Sequence, residues 1–376
     1  MIKRLFLFTF LFCVLFDPQI PYFLNGIGFS IIIVGIFLFD VLCRSKIKFN
    51  ELFNHVFFYF FVVSVYSIVR LVFSGFNFEF LLSIPRGLVT FLSCYYVYYY
   101  IFNECKEKIV LYMAVCFSLN AIINIFFAFN PNLLAYISIF KGVDISSVVG
   151  NNPFRNSFLS MSGFYSIGTA YSVFFMFFTY LMIKGNFGFS KFITMILSLL
   201  SSILAARTSI VGLFFMMLFV VFKRPTYLIL LFFSLLFGLF LLNYVDYFNI
   251  YKNWIFEAFE KESLEYVINA IWIDVSLEHI IFGLGVVNDG TYDYTDSGYL
   301  KDILFGGVIF MLVKLSILPV IFRYHFKVDF LFSFSLLFVI LIYNFKGQFL
   351  FSSSHGMAVL YFVSFYFRGL SLDGKK

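Results

Sequence analysis

Ile109 to Phe129 reads IVLYMAVCFSLNAIINIFFAF and carries no charge from one end to the other. A helix needs about 20 mostly apolar residues to cross the hydrocarbon of a bilayer, and a helix suits that solvent because it satisfies its own backbone hydrogen bonds. This run has the length, and it lies between the basic turn of Lys106 and Lys108 and the break at Asn130-Pro131. Runs of comparable character precede it at Leu5 to Phe16, Gly26 to Cys43, Leu52 to Phe73 and Phe80 to Phe102. Others follow at Met161 to Ile183, Phe192 to Ala206, Thr208 to Phe222, Thr226 to Val245, Tyr299 to Phe322, Phe330 to Phe345 and Gly356 to Phe367. The pattern predicts an all-α fold: a polytopic transmembrane helical bundle of about twelve spans, forming a single membrane domain over residues 1–376.

Composition agrees. The 376 residues are 62% hydrophobic and 12% charged, with a mean hydropathy of +0.97, whereas soluble domains are about one quarter charged. The N-terminus, MIKRLFLFTFLFCVLF, starts like a signal peptide, but Asp17-Pro18 stands where a small-residue cleavage site belongs. It is read as an uncleaved first span.

Orientation follows from the Lys and Arg bias of short loops. With the N-terminus inside, the cytoplasmic set is Lys3, Arg4, Arg44, Lys46, Lys48, Lys106, Lys108, Lys184, Lys191, Lys223, Arg224, Arg323, Lys327, Arg368, Lys375 and Lys376. Both termini are then cytoplasmic. The formal charge of +6 forms no basic stripe, so nucleic acid is not an expected partner. The five cysteines show neither a CxxC nor a pairing pattern, and they imply no disulfide framework or zinc site.

Two outer segments are too long to be turns. Residues 130–160 form a first long loop and residues 246–298 a large one. The larger holds ten of the chain's 20 acids against only Lys252 and Lys261. Within it, Asn253 to Ile281 mixes acids with Trp254, Phe256, Phe259 and Trp272, which suits short amphipathic helices on the membrane surface. A solvated acidic face is the plain alternative.

A charged side chain inside a span costs at least about 2.5 to 3.5 kcal/mol on insertion scales. Arg86 sits in LLSIPRGLVT, where Pro85 and Gly87 loosen the helix, and Arg207 falls at the outer junction of two short spans. Either arginine also fits a structural ion pair with a loop acid. Arg70, near the outer end of its span, needs only snorkelling. A guanidinium keeps its proton and grips phosphate oxygens with two prongs, so outward arginines suit a lipid-linked diphosphate.

The most specific text is SLEHIIFGLGVVNDGTYDYTDSGYLKDILFGGVIFMLV, from Ser276 to Val313. Gly283 and Gly285 permit tight turns, Ser297 suits a helix cap, and Gly306-Gly307 permits close helix packing. His279 is one of four histidines. No calcium-loop, HExxH, GxSxG or P-loop pattern is present, which disfavours metal and nucleotide chemistry. No cofactor is expected.

Three passages together resemble the Wzy-type O-antigen polymerases, which share a superfamily with the O-antigen ligases. They are AARTSIVGLF, INAIWIDVSLEHIIFGLGVVNDG and TDSGYLKDILFGGVIFMLV. The last looks like the family's polar-aromatic opening of a span followed by paired glycines. Many relatives carry His-Asn where this chain has Asp296-Ser297, and Phe305 stands where a Glu precedes the paired glycines. These departures favour polymerase over ligase.

The resemblance implies a metal-independent glycosyltransferase of the bacterial inner membrane. It would join polyprenyl-diphosphate-linked oligosaccharides on the periplasmic face, with membrane lipid around it and a chain-length regulator protein as a partner. Arg207 and Arg86 are assigned to the diphosphates, with Arg155 and Lys346 behind them. Asp296 or His279 is the base. Tyr299, with Tyr292 and Tyr294, offers rings for stacking on sugars, and His355 ranks below His279. The alternatives are an O-antigen ligase and, in a different class, a lipid-linked oligosaccharide flippase, whose polar groups are expected near the midplane of two pseudo-symmetric halves.

Overall fold

The computed structural model describes residues 2–19, 28–43, 49–74, 78–141, 157–160, 164–185, 188–225, 274–285, 297–350 and 354–373, with a few single positions besides. The expected span from Thr226 to Val245, most of the acidic stretch and residues 142–156 of the first long loop lie outside them. The described residues are nearly all helical, and none forms a strand; Gln19 and Gly28 make one isolated bridge.

The helices are α1 (Ile2–Phe16), α2 (Ser30–Cys43), α3 (Glu51–Ser74), α4 (Phe78–Tyr96), α5 (Lys106–Ala128) and the short α6 (Leu134–Ser138). They continue as α7 (Phe164–Lys184), α8 (Phe189–Ala205), α9 (Ile210–Lys223) and α10 (Leu277–Phe282). The last are α11 (Gly298–Leu315), α12 (Ile317–Phe322), α13 (His325–Val328), α14 (Phe330–Lys346) and α15 (Ser354–Asp373).

Among the described residues, four stretches are long and apolar enough to cross a membrane: Glu51–Val72, Lys106–Ala128, Phe164–Lys184 and Gly298–Val328. Three shorter apolar helices, α2, α8 and α14, stand beside them. At 14 residues, α2 is about 21 Å long, less than the roughly 30 Å of a hydrocarbon core. Apolar runs read from sequence thus outnumber the helices that are long enough alone.

Burial sorts the helices by position. In α7, 94% of the apolar window is buried, against 33% in α3 and 39% in α5. A helix that is apolar all round and buried belongs at the centre, whereas one buried along a stripe faces its surroundings with the rest. Around α7 pack α8, α9, α14 and α15. Small residues let them approach closely: a Cβ on Gly212 of α9 would stand 2.0 Å from Ser172 Oγ and 3.0 Å from Tyr343 Oη.

Ion pairs tie the basic turns into one end of the bundle. Arg323 donates to Glu51 at 2.7 Å, Lys184 lies 3.2 Å and Lys223 4.0 Å from Asp329, and Lys106 pairs with Asp373. Arg368 donates to Tyr99 at 2.9 Å. Exposed pairs of this kind contribute up to about 1 kcal/mol each. Their importance here is that residues from five basic turns lie at one end. We call this the basic end, and the other the far end.

Replacing Gly212 with Val forces α7 and α9 apart and should cost about 1–3 kcal/mol, read as a lower thermal unfolding temperature in detergent. Gly35→Ala, where an added Cβ meets nothing within 4 Å, should leave it unchanged or raise it.

Candidate functional site

At the far end, four separate segments bring polar side chains together. Helix α1 stops at Phe16, and Asp17 takes a left-handed backbone with φ of 38°. The Asp17 N–H still donates to Cys13 O at 2.9 Å, while its Oδ1 accepts the Ser30 N–H at 2.8 Å and caps α2. A carboxylate is at home there because the first N–H groups of a helix lack partners. Pro18 and Gln19 fasten the turn: Pro18 O accepts from Phe29 N–H at 3.0 Å, and Gln19 N–H donates to Phe140 O at 2.8 Å. Burial pushes the Asp17 carboxyl up to about 6, against the opposing pull of the Ser30 hydrogen bonds and of Arg86.

Arg86 follows Pro85 inside α4 and is exposed. Its guanidinium lies within electrostatic reach of both Asp17 and His355. Among the described residues no carboxylate forms an ion pair with it. His355, the second residue of α15, is fully buried, and its Nε2 lies 2.6 Å from Ser160 Oγ. Its backbone N–H donates to Ser166 Oγ at 3.4 Å.

A second polar assembly surrounds a break in α11. Gly306 has φ −137° and ψ 16°, and Gly307 has φ 73° and ψ −178°, so the helix is interrupted there. The end of α10 closes on the gap: Leu284 N–H donates to Leu304 O at 2.6 Å and Gly285 N–H to Phe305 O at 2.9 Å. Tyr66 Oη donates to Gly306 O at 2.7 Å. Arg70 donates to Phe305 O at 3.3 Å and to Gly283 O at 2.5 Å. Only glycine fits at the crossing, since a Cβ on Gly307 would stand 2.0 Å from Ile281 O and one on Gly283 2.6 Å from Gly307 N. The paired glycines therefore break the helix instead of packing a continuous one, and Arg70 caps carbonyls instead of snorkelling.

Across the break, Lys314 donates to Asp302 at 2.6 Å, both side chains being 1% exposed. Twelve residues of straight helix span about 18 Å, far more than these two side chains bridge, so the halves of α11 are not collinear. Gln348 also donates to Asp302 Oδ1, at 3.4 Å, while Tyr59 donates to Lys314 O at 2.8 Å.

The other candidates are spread along the far end. Arg207 opens a short 3-10 turn, Arg207–Ser209, that joins α8 to α9. Lys346 is the last residue of α14. Tyr299 donates its hydroxyl to Leu341 O at 2.9 Å, which holds its ring against α14. His279 is carried on α10, whose cap Ser276 accepts the His279 N–H at 3.4 Å. Ser297 caps α11, accepting from Leu300 N–H at 3.4 Å. Asp296, Arg155, Tyr292 and Tyr294 lie outside the described residues. Lys141, half-buried just past α6, has its ammonium pulled down to about 7 by burial.

Sequence reasoning missed Asp17, Ser160 and the pairing of Asp302 with Lys314. Two opposite charges in one apolar span were a signal for that pair, but their spacing in a straight helix argued against contact. Asp17 was read only as a failed cleavage site.

No family model, no curated protein and no solved structure matches this chain. The architecture itself defines the class: the described residues are almost wholly helical, and four of their helices are long and apolar enough to span a membrane.

Removing one member of the buried pair, as in Lys314→Ala, should destabilise by about 3–5 kcal/mol, whereas Asp302→Leu with Lys314→Met should recover most of the loss. Detergent unfolding of the three variants checks this. Asp17 binds its proton more tightly folded than unfolded. Its contribution is thus complete below about pH 4 and lost as pH rises through about 6, a change of about 3 kcal/mol. Asp17→Asn should flatten that slope in an unfolding series from pH 4 to 7.

Proposed function

We propose that this chain is a membrane glycosyltransferase of the O-antigen polymerase kind, crossing the inner membrane about a dozen times with its basic end in the cytoplasm. It transfers a growing glycan from polyprenyl diphosphate to a sugar hydroxyl of another lipid-linked unit, at the far end. The observation that carries this reading is the docking of Gly283 and Gly285 on Phe305 to Gly307. That contact joins two of the three passages on which the family resemblance rests.

Cations at the far end add support. A polyprenyl diphosphate departs readily once its developing charge is met, and Arg86 and Arg207 are suited to meeting it, with Lys346 and Arg155 in lesser roles. The acceptor hydroxyl still needs its proton removed, for which Asp296 and His279 are candidates. A chain-length regulator and the membrane lipid itself are the proposed partners.

The flippase reading has one observation in its favour, since a broken helix with a buried ion pair is a feature of carriers. Product analysis separates the readings. In cells carrying Arg207→Ala, Arg86→Ala, Asp296→Ala or His279→Ala, the ladder of surface polysaccharide lengths should shorten, with single-unit glycolipid accumulating outside. Units trapped in the cytoplasmic leaflet would indicate a flippase, and long polymer left unattached to the lipid core a ligase. Full ladders from all four expressed variants, or reporter fusions placing Lys141 and Gly285 in the cytoplasm, would overturn the proposal.

A further inference from the structure

The cluster at the end of α1 offers a third candidate for the proton-accepting role given above to Asp296 and His279, and it adds a cation. Its members come from four places in the chain, residues 17, 86, 160 and 355, and it pairs a cation with an imidazole already engaged to a hydroxyl. The charged groups facing the site are Arg86 on α4, within reach of the imidazole, and Asp17, within reach of Arg86. From α7 comes the uncharged Ser166.

We infer that His355 accepts the proton of the acceptor sugar's hydroxyl, with Ser160 Oγ occupying in this structure the position that the hydroxyl takes. This inference rests on the glycosyl-transfer reading above. A hydroxyl oxygen 2.6 Å from Nε2 is within the reach required of a general base and its substrate. Arg86 is exposed within electrostatic reach of that imidazole, and a guanidinium is suited to the diphosphate of the donor.

In the transfer, the acceptor oxygen bonds to the donor's anomeric carbon as the bond from that carbon to the diphosphate oxygen breaks. The bonding pair leaves with the polyprenyl diphosphate, the hydroxyl proton moves to Nε2, and the imidazolium releases it to water. Because Ser160 is 1% and His355 0% exposed, the acceptor enters by displacing the 157–160 segment. Ser160 is then a positioning residue that holds the ring until substrate replaces it.

The test uses the full-length protein in proteoliposomes with purified polyprenyl-diphosphate-linked repeat units. His355→Gln should lower the rate of chain extension by about a hundredfold or more while the protein remains monodisperse. Ser160→Ala keeps the imidazole but removes its partner; it should retain most activity and displace the acidic limb of the pH–rate profile. A structural serine would change stability and leave that limb in place.

If the unaltered protein extends nothing, the polymerase reading fails and the inference with it. If it extends chains and folded His355→Gln extends them at the same rate, the inference alone fails. Should His355→Gln not fold, the Ser160→Ala profile decides: an unmoved limb overturns the proposal.

Discussion

Backbone groups in hydrocarbon have no water to turn to, and an unsatisfied one costs several kcal/mol. That constraint governs this protein most visibly where it interrupts its own helix. At Gly306-Gly307 the α11 ladder opens, and the exposed groups are taken up by α10 backbone, Tyr66 and Arg70. Arg70 fits because a guanidinium donates several hydrogen bonds in a fixed fork and keeps its charge, so one side chain serves carbonyls on both sides of the crossing. Helix α10 has the place it has because the break needs closing, and Asp302 meets Lys314 because the break bends α11.

The same constraint explains what was readable in the sequence. Long uncharged runs such as Ile109 to Phe129 are helices within three residues at either end, since hydrocarbon leaves the backbone little choice. Lys106, Lys184, Lys223, Arg323 and Arg368, from five of the basic turns, lie at one end, and Ser297 caps a helix as its position suggested. These properties are local or periodic, and a sequence displays them directly.

What escaped the sequence is non-local. The reach from Arg70 to Gly283 spans 213 residues, that from Ser160 to His355 spans 195, and that from Asp17 to Ser30 spans 13. Nothing in the neighbourhood of Asp17 or Ser160 marks either as one member of a cluster. At Gly306-Gly307 the residues were noticed but their conformation was not, because paired glycines serve close packing and helix breaking equally well. Only the opposing Gly283, which leaves no room for a Cβ on either strand of the crossing, decides between them.

The two polar assemblies differ in a way that separates framework from chemistry. Around the break, Arg70, Tyr66 and Tyr59 are committed to named carbonyls, and Lys314 to Asp302. A ligand there must first dismantle the contacts that hold the helix, at a cost set by leaving a buried charge alone. At the far end, Arg86 is exposed and has no carboxylate bound to it among the described residues, and the imidazole within its electrostatic reach has at Nε2 a hydroxyl that a substrate hydroxyl matches in kind. A substrate hydroxyl at Nε2 restores the hydrogen bond that Ser160 gives up there, whereas nothing replaces the opened ion pair. That contrast favours the far-end cluster for the proposed diphosphate and sugar chemistry, and leaves the broken helix to hold the end of α10.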